Sequence, residues 1–437
     1  MGALQTTPLS QEALLERLQL ARKQSDELFS IVKPEFLYER PIAERHRIVF
    51  YIGHLEAFDW NLLRERIFQA EAFNPNFDRL FAFGIDPVDG GLPSDQPKDW
   101  PDIESVREYV AYVRRTIDDN LSGHFSENAD KLLNVAIEHR LMHAETLAYM
   151  LHQLPYDQKQ QLHSKPLLVT DAVTPSMAEI SSGTATLGLS RDGAQFGWDN
   201  EYELNRVEVP AFAIDKYMVT NRQHLEFVNS GAYRNKDLWQ DSDWQWITAN
   251  QIQHAVFWVR LGDEWKYRTM FEEISLPLDW PVYVSHAEAS AYARWAGKSL
   301  PTEAQWHRAA YGTSEGEERI YPWGGAEPDS YKGNFDFYRW NPTRIAAFPQ
   351  GQSAFGAFDM LGNGWEWTST VFQPFPGFEA FPFYRGYSAD FFDGKHYVIK
   401  GGSARTAASM LRRSFRNWFQ PHYQYVYAGF RCVSNRG

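Results

Sequence analysis

Ala136-Ile137-Glu138-His139-Arg140-Leu141-Met142-His143-Ala144-Glu145-Thr146-Leu147 is the stretch from which the fold and the chemistry of this chain are first read. Two histidines four apart on a helix project from one face, a turn above each other, so two imidazoles can reach one metal ion without distorting the backbone. A third histidine lies far upstream, His54 in Phe50-Tyr51-Ile52-Gly53-His54-Leu55-Glu56-Ala57-Phe58-Asp59-Trp60. Taken alone, a His-x-x-x-His pair is more often two surface or capped histidines than a site, and a lone His54 suits a satisfied core position equally well. What surrounds the three decides.

Outward from that stretch, the apolar spacing predicts a helix from about Ser126 to Leu154 that carries both histidines. Upstream, Leu14, Leu15, Leu18, Leu20, Ala21 and Leu28 recur at helical spacing over 9–30, with Ser10 as a plausible N-cap. A second helix is expected from near Ala43, its apolar stripe including His54. Prolines and the pair Gly90-Gly91 break the pattern over 71–103, which reads as a long crossover loop, and loops of that length are commonly functional. Val106, Val110, Val113 and Ile117 then mark a helix from about Ile103 to Leu121. Four helices with long connections make a bundle over 1–160, the architecture in which facing helices assemble metal sites.

Residues 161–178 read as a polar linker, and over 179–437 the texture changes to short strand-like pieces, loops and abundant Gly, Trp and Tyr. Helical pattern survives at 222–230, 286–295 and 302–310. The fold class expected is therefore α+β in two domains. The chain has 437 residues, 43% hydrophobic and 23% charged, the balance of a folded globular protein. Its net charge of −13, with no basic run, argues against a nucleic-acid partner held through phosphates. Aromatic residues reach 16% with 16 Trp, enough for irregular cores or for pockets that take cations and flat ligands. The single cysteine, Cys432, excludes catalysis by a cysteine pair within the chain. No apolar run of membrane-spanning length and no secretory signal is visible, so the expected location is cytoplasmic, with no membrane partner.

The second half carries longer words: Asp215-Lys216-Tyr217-Met218-Val219-Thr220-Asn221, Leu300-Pro301-Thr302-Glu303-Ala304-Gln305-Trp306, Asp359-Met360-Leu361-Gly362-Asn363-Gly364-Trp365-Glu366-Trp367 and Gly429-Phe430-Arg431-Cys432. In this order they resemble the formylglycine-generating enzyme family, which implies a C-type-lectin-like domain. Members that activate sulfatases use a cysteine pair before the last Gly-Phe-Arg, whereas Arg413-Ser414-Phe415-Arg416-Asn417-Trp418-Phe419 has none, so formylglycine generation is not expected. Asn334, Asp336 and Asn363 resemble calcium-site positions of that fold, which implies a structural Ca(2+).

The whole chain resembles the iron-dependent ergothioneine synthase (sulfoxide synthase) group, in which a DinB-like four-helix bundle precedes such a domain. That resemblance implies Fe(2+) held by His54, His139 and His143, O2 as co-substrate and hercynine (histidine betaine) as substrate. Three neutral imidazoles suit it, because they leave open positions for oxygen and a soft donor atom. Departures fall on the donor side. Members that use thiols carry Gln where this chain has Met142, which cannot donate a hydrogen bond, and a tyrosine pair where Leu80-Phe81-Ala82-Phe83-Gly84-Ile85 has none. The following segment, Asp86 to Asp95, has no arginine for the carboxylates of a cysteine or gamma-glutamylcysteine donor. Asp86, Asp89, Ser94 and Asp95 are instead suited to sugar hydroxyls. The pattern is most similar to the selenoneine synthase branch, which joins a neutral selenosugar to hercynine; a thiol donor or a non-catalytic binding role stays open.

The resemblance also implies substrate contacts at Met142, Phe83, Asp86, Arg416, Asn417, Trp418 and Phe419. A trimethylammonium group requires aromatic faces, for which Trp418, Phe419, Tyr384, Tyr387 and Trp367 are candidates, with Arg416 or Asn417 for the carboxylate. Tyr384 and Tyr387 are the expected proton donors. Trp365 and Trp367 belong to the fold's own signature and are expected in its core.

Overall fold

Ser10 takes the Ala13 N–H through its hydroxyl and starts helix α1, Gln11–Phe29, which buries Leu14, Leu18, Ala21 and Leu28. The computed structural model describes residues 10–82, 92–121, 127–160, 173–193 and 195–434. These fall in two compact units, 1–162 with 194–196 and 163–193 with 197–437.

Helix α2, Ile48–Leu63, begins later than the apolar spacing from Ala43 predicts. The reason lies in its first turn, where Ile48 N–H bonds the Glu39 carbonyl and Val49 N–H the Leu37 carbonyl. These partners satisfy helix-end donors from outside and fix the start at Ile48. Helix α2 is apolar on nearly every side and is the bundle's central element. Inside the stretch expected as one long loop stands a short helix, α3 (Pro75–Leu80), started by the Asn74 side chain on Phe77 N–H with Pro75 in its first turn. Helix α4, Ile103–Leu121, buries Val106, Tyr109, Val113, Ile117 and Leu121. Helix α5, Glu127–His152, packs on α1 and α2, and α2 also packs on α4.

In the second unit, strand Phe212–Asp215 lies between Met177–Ile180 and Val433–Ser434, antiparallel to both. A four-stranded sheet runs Asn417–Phe419, Tyr397–Lys400, Trp365–Val371, Ala428–Gly429, with the last pair parallel. Helices Asn221–Asn229, His286–Trp295 and Glu303–Tyr311 each start in a capping box, from Thr220, Ser285 and Thr302. Helix Asp241–Ala249 and the three-stranded sheet Trp258–Leu261, Glu264–Arg268, Glu273–Ser275 carry no periodic stripe in the sequence and were not anticipated.

Three of the sequence words meet at one side chain. Arg431, fully buried, pairs with both carboxylate oxygens of Glu366 and donates to the Asp215, Lys216 and Phe358 carbonyls. Trp365 and Trp367 are core, Trp367 donating its indole N–H to the Val284 carbonyl. Asn363 Oδ1 takes bonds from Thr343 N–H, Thr343 hydroxyl and Asn334 Nδ2, and Asp336 Oδ1 takes the Ala408 N–H. The side-chain oxygens of Asn363 and Asp336 thus fasten loops to one another. Among the described residues no helix is long and apolar enough to cross a membrane.

Candidate metal centre

Along α2, Phe50, His54 and Phe58 are four apart and form one aromatic stripe. Phe50 stacks on His54 with ring centroids 4.8 Å apart and planes 21° apart, while Phe58 stacks on His139 of α5 at 3.4 Å and 12°. His143 follows one turn after His139. The three histidines are buried, and one nitrogen from each lies within 4.8 Å of the others.

The hydrogen bonds assign the nitrogens. His54 Nδ1 donates to the Phe81 carbonyl at 2.6 Å, so its lone pair is on Nε2. His139 Nε2 and His143 Nε2 are 3.1 Å apart. Two imidazole nitrogens that share one ion at right angles, each about 2.1 Å from it, are about 3 Å apart, so this pair is already spaced for a common ion. Burial drives the His54 imidazole down to about 4 despite the Phe81 bond. Burial, then the neighbouring histidines and Arg140, hold His139 well below the ordinary histidine range. Burial, then His54, Arg45 and Arg140, do the same for His143. All three are therefore neutral near pH 7, the state a metal ligand requires. A buried set of three neutral nitrogens fits a borderline-soft divalent ion such as iron(II).

What holds the set in place was not visible from spacing. Gly53 gives room to Phe81: a Cβ at position 53 would lie 2.5 Å from the Phe81 ring. Arg140, beside His139, is fully buried and donates to Asp59 Oδ2 at 2.6 Å, Glu56 Oε1 at 2.9 Å and the Leu55 carbonyl at 3.1 Å. These bonds lock α5 to α2 in the register that brings His54 opposite the pair. Burial raises the Glu56 carboxyl, but Arg140, Arg114 and Arg22 outweigh it and hold it below the ordinary carboxylate range. Charged residues on an otherwise apolar helix were the available signal.

The other expected contacts divide. Phe83, Asp86 and Asp89 lie outside the described residues. Met142 is half-buried beside His143. Asp95, expected to meet sugar hydroxyls, is instead engaged by protein: one oxygen pairs with Arg40, the other with Arg47 Nε at 3.0 Å and Trp100 Nε1 at 2.7 Å. Two arginines absent from the loop itself therefore reach it from the approach to α2.

Within the second unit, Trp418 stacks on Phe372 at 4.1 Å and 8°, with Tyr387 and Phe391 each 5.5 Å away. Tyr387 in turn stacks on Trp198 at 4.0 Å and has Tyr384 5.5 Å away. Trp418, Tyr384 and Tyr387 are half-buried. Phe419 stacks on Tyr423 instead, at 5.3 Å. Asn417 Oδ1 takes the Trp418 N–H, which leaves its amide NH2 as donor. Arg416, expected as a carboxylate partner, is buried with one guanidinium nitrogen on Glu303 at 2.9 Å and another on the Gln373 carbonyl at 3.0 Å. Its charge is matched inside the fold, so Asn417 is the better candidate.

Residues 164–436 match the Sulfatase-modifying factor enzyme 1-like domain family. The hercynine oxygenase of Mycolicibacterium thermoresistibile is 35% identical over 75% of this chain and 74% of its own length. That of Mycolicibacterium smegmatis is 31% identical over 97% of this chain and 99% of its own. Ergothioneine biosynthesis protein 1 of Neurospora crassa is 28% identical over 91% of this chain and 55% of its own. With a bundle that brings three buried histidines together and these matches along its length, the chain belongs to the ergothioneine synthase-like family of the hercynine oxygenases, with a C-terminal formylglycine-generating-enzyme-like domain.

Proposed function

We propose that this protein is an O2-dependent nonheme iron(II) oxidoreductase that forms a carbon–selenium bond at the imidazole C2 of hercynine, with a neutral selenosugar as donor, in the cytoplasm. The observation that carries it is the convergence of His54, His139 and His143, buried and neutral, in a chain whose relatives are hercynine oxygenases. When bound, iron(II) supplies the reduction of O2 and makes the selenol or thiol more acidic.

The chain's own residues hold and orient. Trp418, with its face set by Phe372, and Tyr387, set by Trp198, supply aromatic surface for the trimethylammonium group, which has no N–H to donate. The Asn417 amide donates to the carboxylate, and the Oη of Tyr387 or Tyr384 delivers a proton. Two features favour a neutral donor. Met142 has no hydrogen-bond donor beside His143, and Arg40 and Arg47 are already paired with Asp95, so a donor carboxylate would have to displace it.

The test gives the iron(II)-loaded protein hercynine and O2 with a selenosugar, gamma-glutamylcysteine or cysteine, and reads products by mass spectrometry. A selenium-containing product from the selenosugar is expected. Product from a thiol alone would replace this reading with a sulfoxide synthase. Hercynine binding without product from any donor would make the protein a binding paralogue.

A further inference from the structure

The His54 ring is restrained twice, and both restraints rest against the same indole. Phe50 sets the plane of the imidazole and the Phe81 carbonyl sets its tautomer. Trp100 lies against both: its ring is 5.8 Å from Phe50 at 68°, and 6.2 Å from Phe81 at 22°. The indole is itself fixed by the 2.7 Å bond from its N–H to Asp95. Asp95 is fastened by Arg40 and by Arg47, which also donates to the Asp95 carbonyl at 2.9 Å and the Tyr38 carbonyl at 2.8 Å. Arg47 is the residue from which α2 starts, so the chain of contacts begins and ends on the helix that carries His54. His139 and His143 come from the other helix, α5.

We propose that Asp95 and Trp100 are positioning residues for the metal centre, acting on one ligand only: the carboxylate orients the indole, and the indole holds Phe50 and Phe81 where they aim His54 Nε2. Removing the carboxylate takes the acceptor from the indole N–H and frees the ring to turn, while Arg40 and Arg47 keep their backbone carbonyl acceptors and the α5 pair stays in place. The proposal rests on the three histidines forming a metal site. Loss of an outer-shell partner of a ligating histidine commonly weakens metal binding by roughly 10–100-fold, and that is the effect expected here.

The test uses the full chain loaded with cobalt(II), whose d–d absorption reports the number and geometry of nitrogen ligands. Affinity and spectrum are measured for wild type, Asp95→Ala, Trp100→Phe and His54→Ala, with circular dichroism confirming that each is folded. Asp95→Ala is expected to bind cobalt(II) 10–100-fold more weakly, with a spectrum shifted toward that of His54→Ala. Trp100→Phe keeps an aromatic wedge without the N–H and should fall between wild type and Asp95→Ala. A folded Asp95→Ala protein with wild-type affinity and spectrum would overturn the positioning role and leave the metal site standing. Wild type that takes up no cobalt(II) would overturn both. Should Asp95→Ala fail to fold, Asp95→Asn keeps an acceptor for the indole; an unshifted spectrum in it supports indole orientation as the cause, and a spectrum like that of His54→Ala overturns it.

Discussion

Gly53→Ala tests whether the Phe81 carbonyl sets the His54 ligand, and it does so against the ordinary expectation for a helix. Alanine in place of a mid-helix glycine normally stabilises by about 1 kcal/mol. Here the new methyl would lie 2.5 to 2.6 Å from three Phe81 ring atoms, and Phe81 is itself fully buried. Overpacking of that kind costs roughly 1–3 kcal/mol, so the apoprotein should be unchanged or modestly less stable. The larger consequence is local. Phe81 must move, and its carbonyl accepts the 2.6 Å bond from His54 Nδ1. Loss of that partner should weaken metal binding by roughly 10–100-fold, about 1.4–2.7 kcal/mol. Competition with a chromogenic chelator under anaerobic iron(II) measures it, with thermal melts of the apoprotein as the companion. Gly53→Ala combined with Phe81→Leu removes the clashing ring atoms and should recover part of the affinity. Wild-type affinity in a folded Gly53→Ala protein would refute the reasoning.

Arg140→Ala should be among the most damaging single changes in the bundle. It strands Asp59, fully buried and paired with Arg140 at 2.6 Å, and such a loss costs about 3–5 kcal/mol. For a unit of this size that corresponds to a melting-temperature fall of roughly 6–20 °C; a fall under about 3 °C would contradict the locking role. His139→Ala should abolish turnover in the donor assay, and full turnover would sink the iron-enzyme proposal. Trp418→Ala should raise KM for hercynine by roughly 2- to 30-fold, the value of a lost cation–π contact of about 0.5–2 kcal/mol, measured by initial rates. For pH, the folded His54 sits at about 4, below the 6.5 of an unfolded histidine. The unfolded chain then binds the extra proton first, so apoprotein stability is full above pH 6.5 and falls toward pH 4. His54→Asn should flatten that slope in thermal melts taken across the window.

The bundle was legible where a single rule governs. The helices α1, α4 and α5 follow from one apolar stripe each, and Ser10 was a readable cap. The start of α2 was not, because the Glu39 and Leu37 carbonyls that hold it come from a turn with no periodicity of its own. Helix α3 had its signal in Asn74-Pro75 and was obscured by the surrounding prolines. Spacing by itself pairs only His139 and His143; the family resemblance implied all three as one ligand set, and tertiary contact brings His54 to the pair. Arg416 and Asp95 show the opposite limit. Their side chains suit a ligand's carboxylate or hydroxyls equally well, and Glu303, Arg40 and Arg47 reach them first.

The sequence by itself determined the ligand types, the i, i+4 pair on α5, the two-domain order and the family words of the second half. These depend on local geometry or on residue identity in order along the chain. The tertiary structure alone decided how His54 meets the pair, which tautomer it adopts, and which charged groups are already matched inside the protein. Those outcomes depend on contacts between residues tens of positions apart: Gly53 admits Phe81, Arg140 sets the register of α2 on α5, and Trp100 lies against Phe50, which stacks on the imidazole.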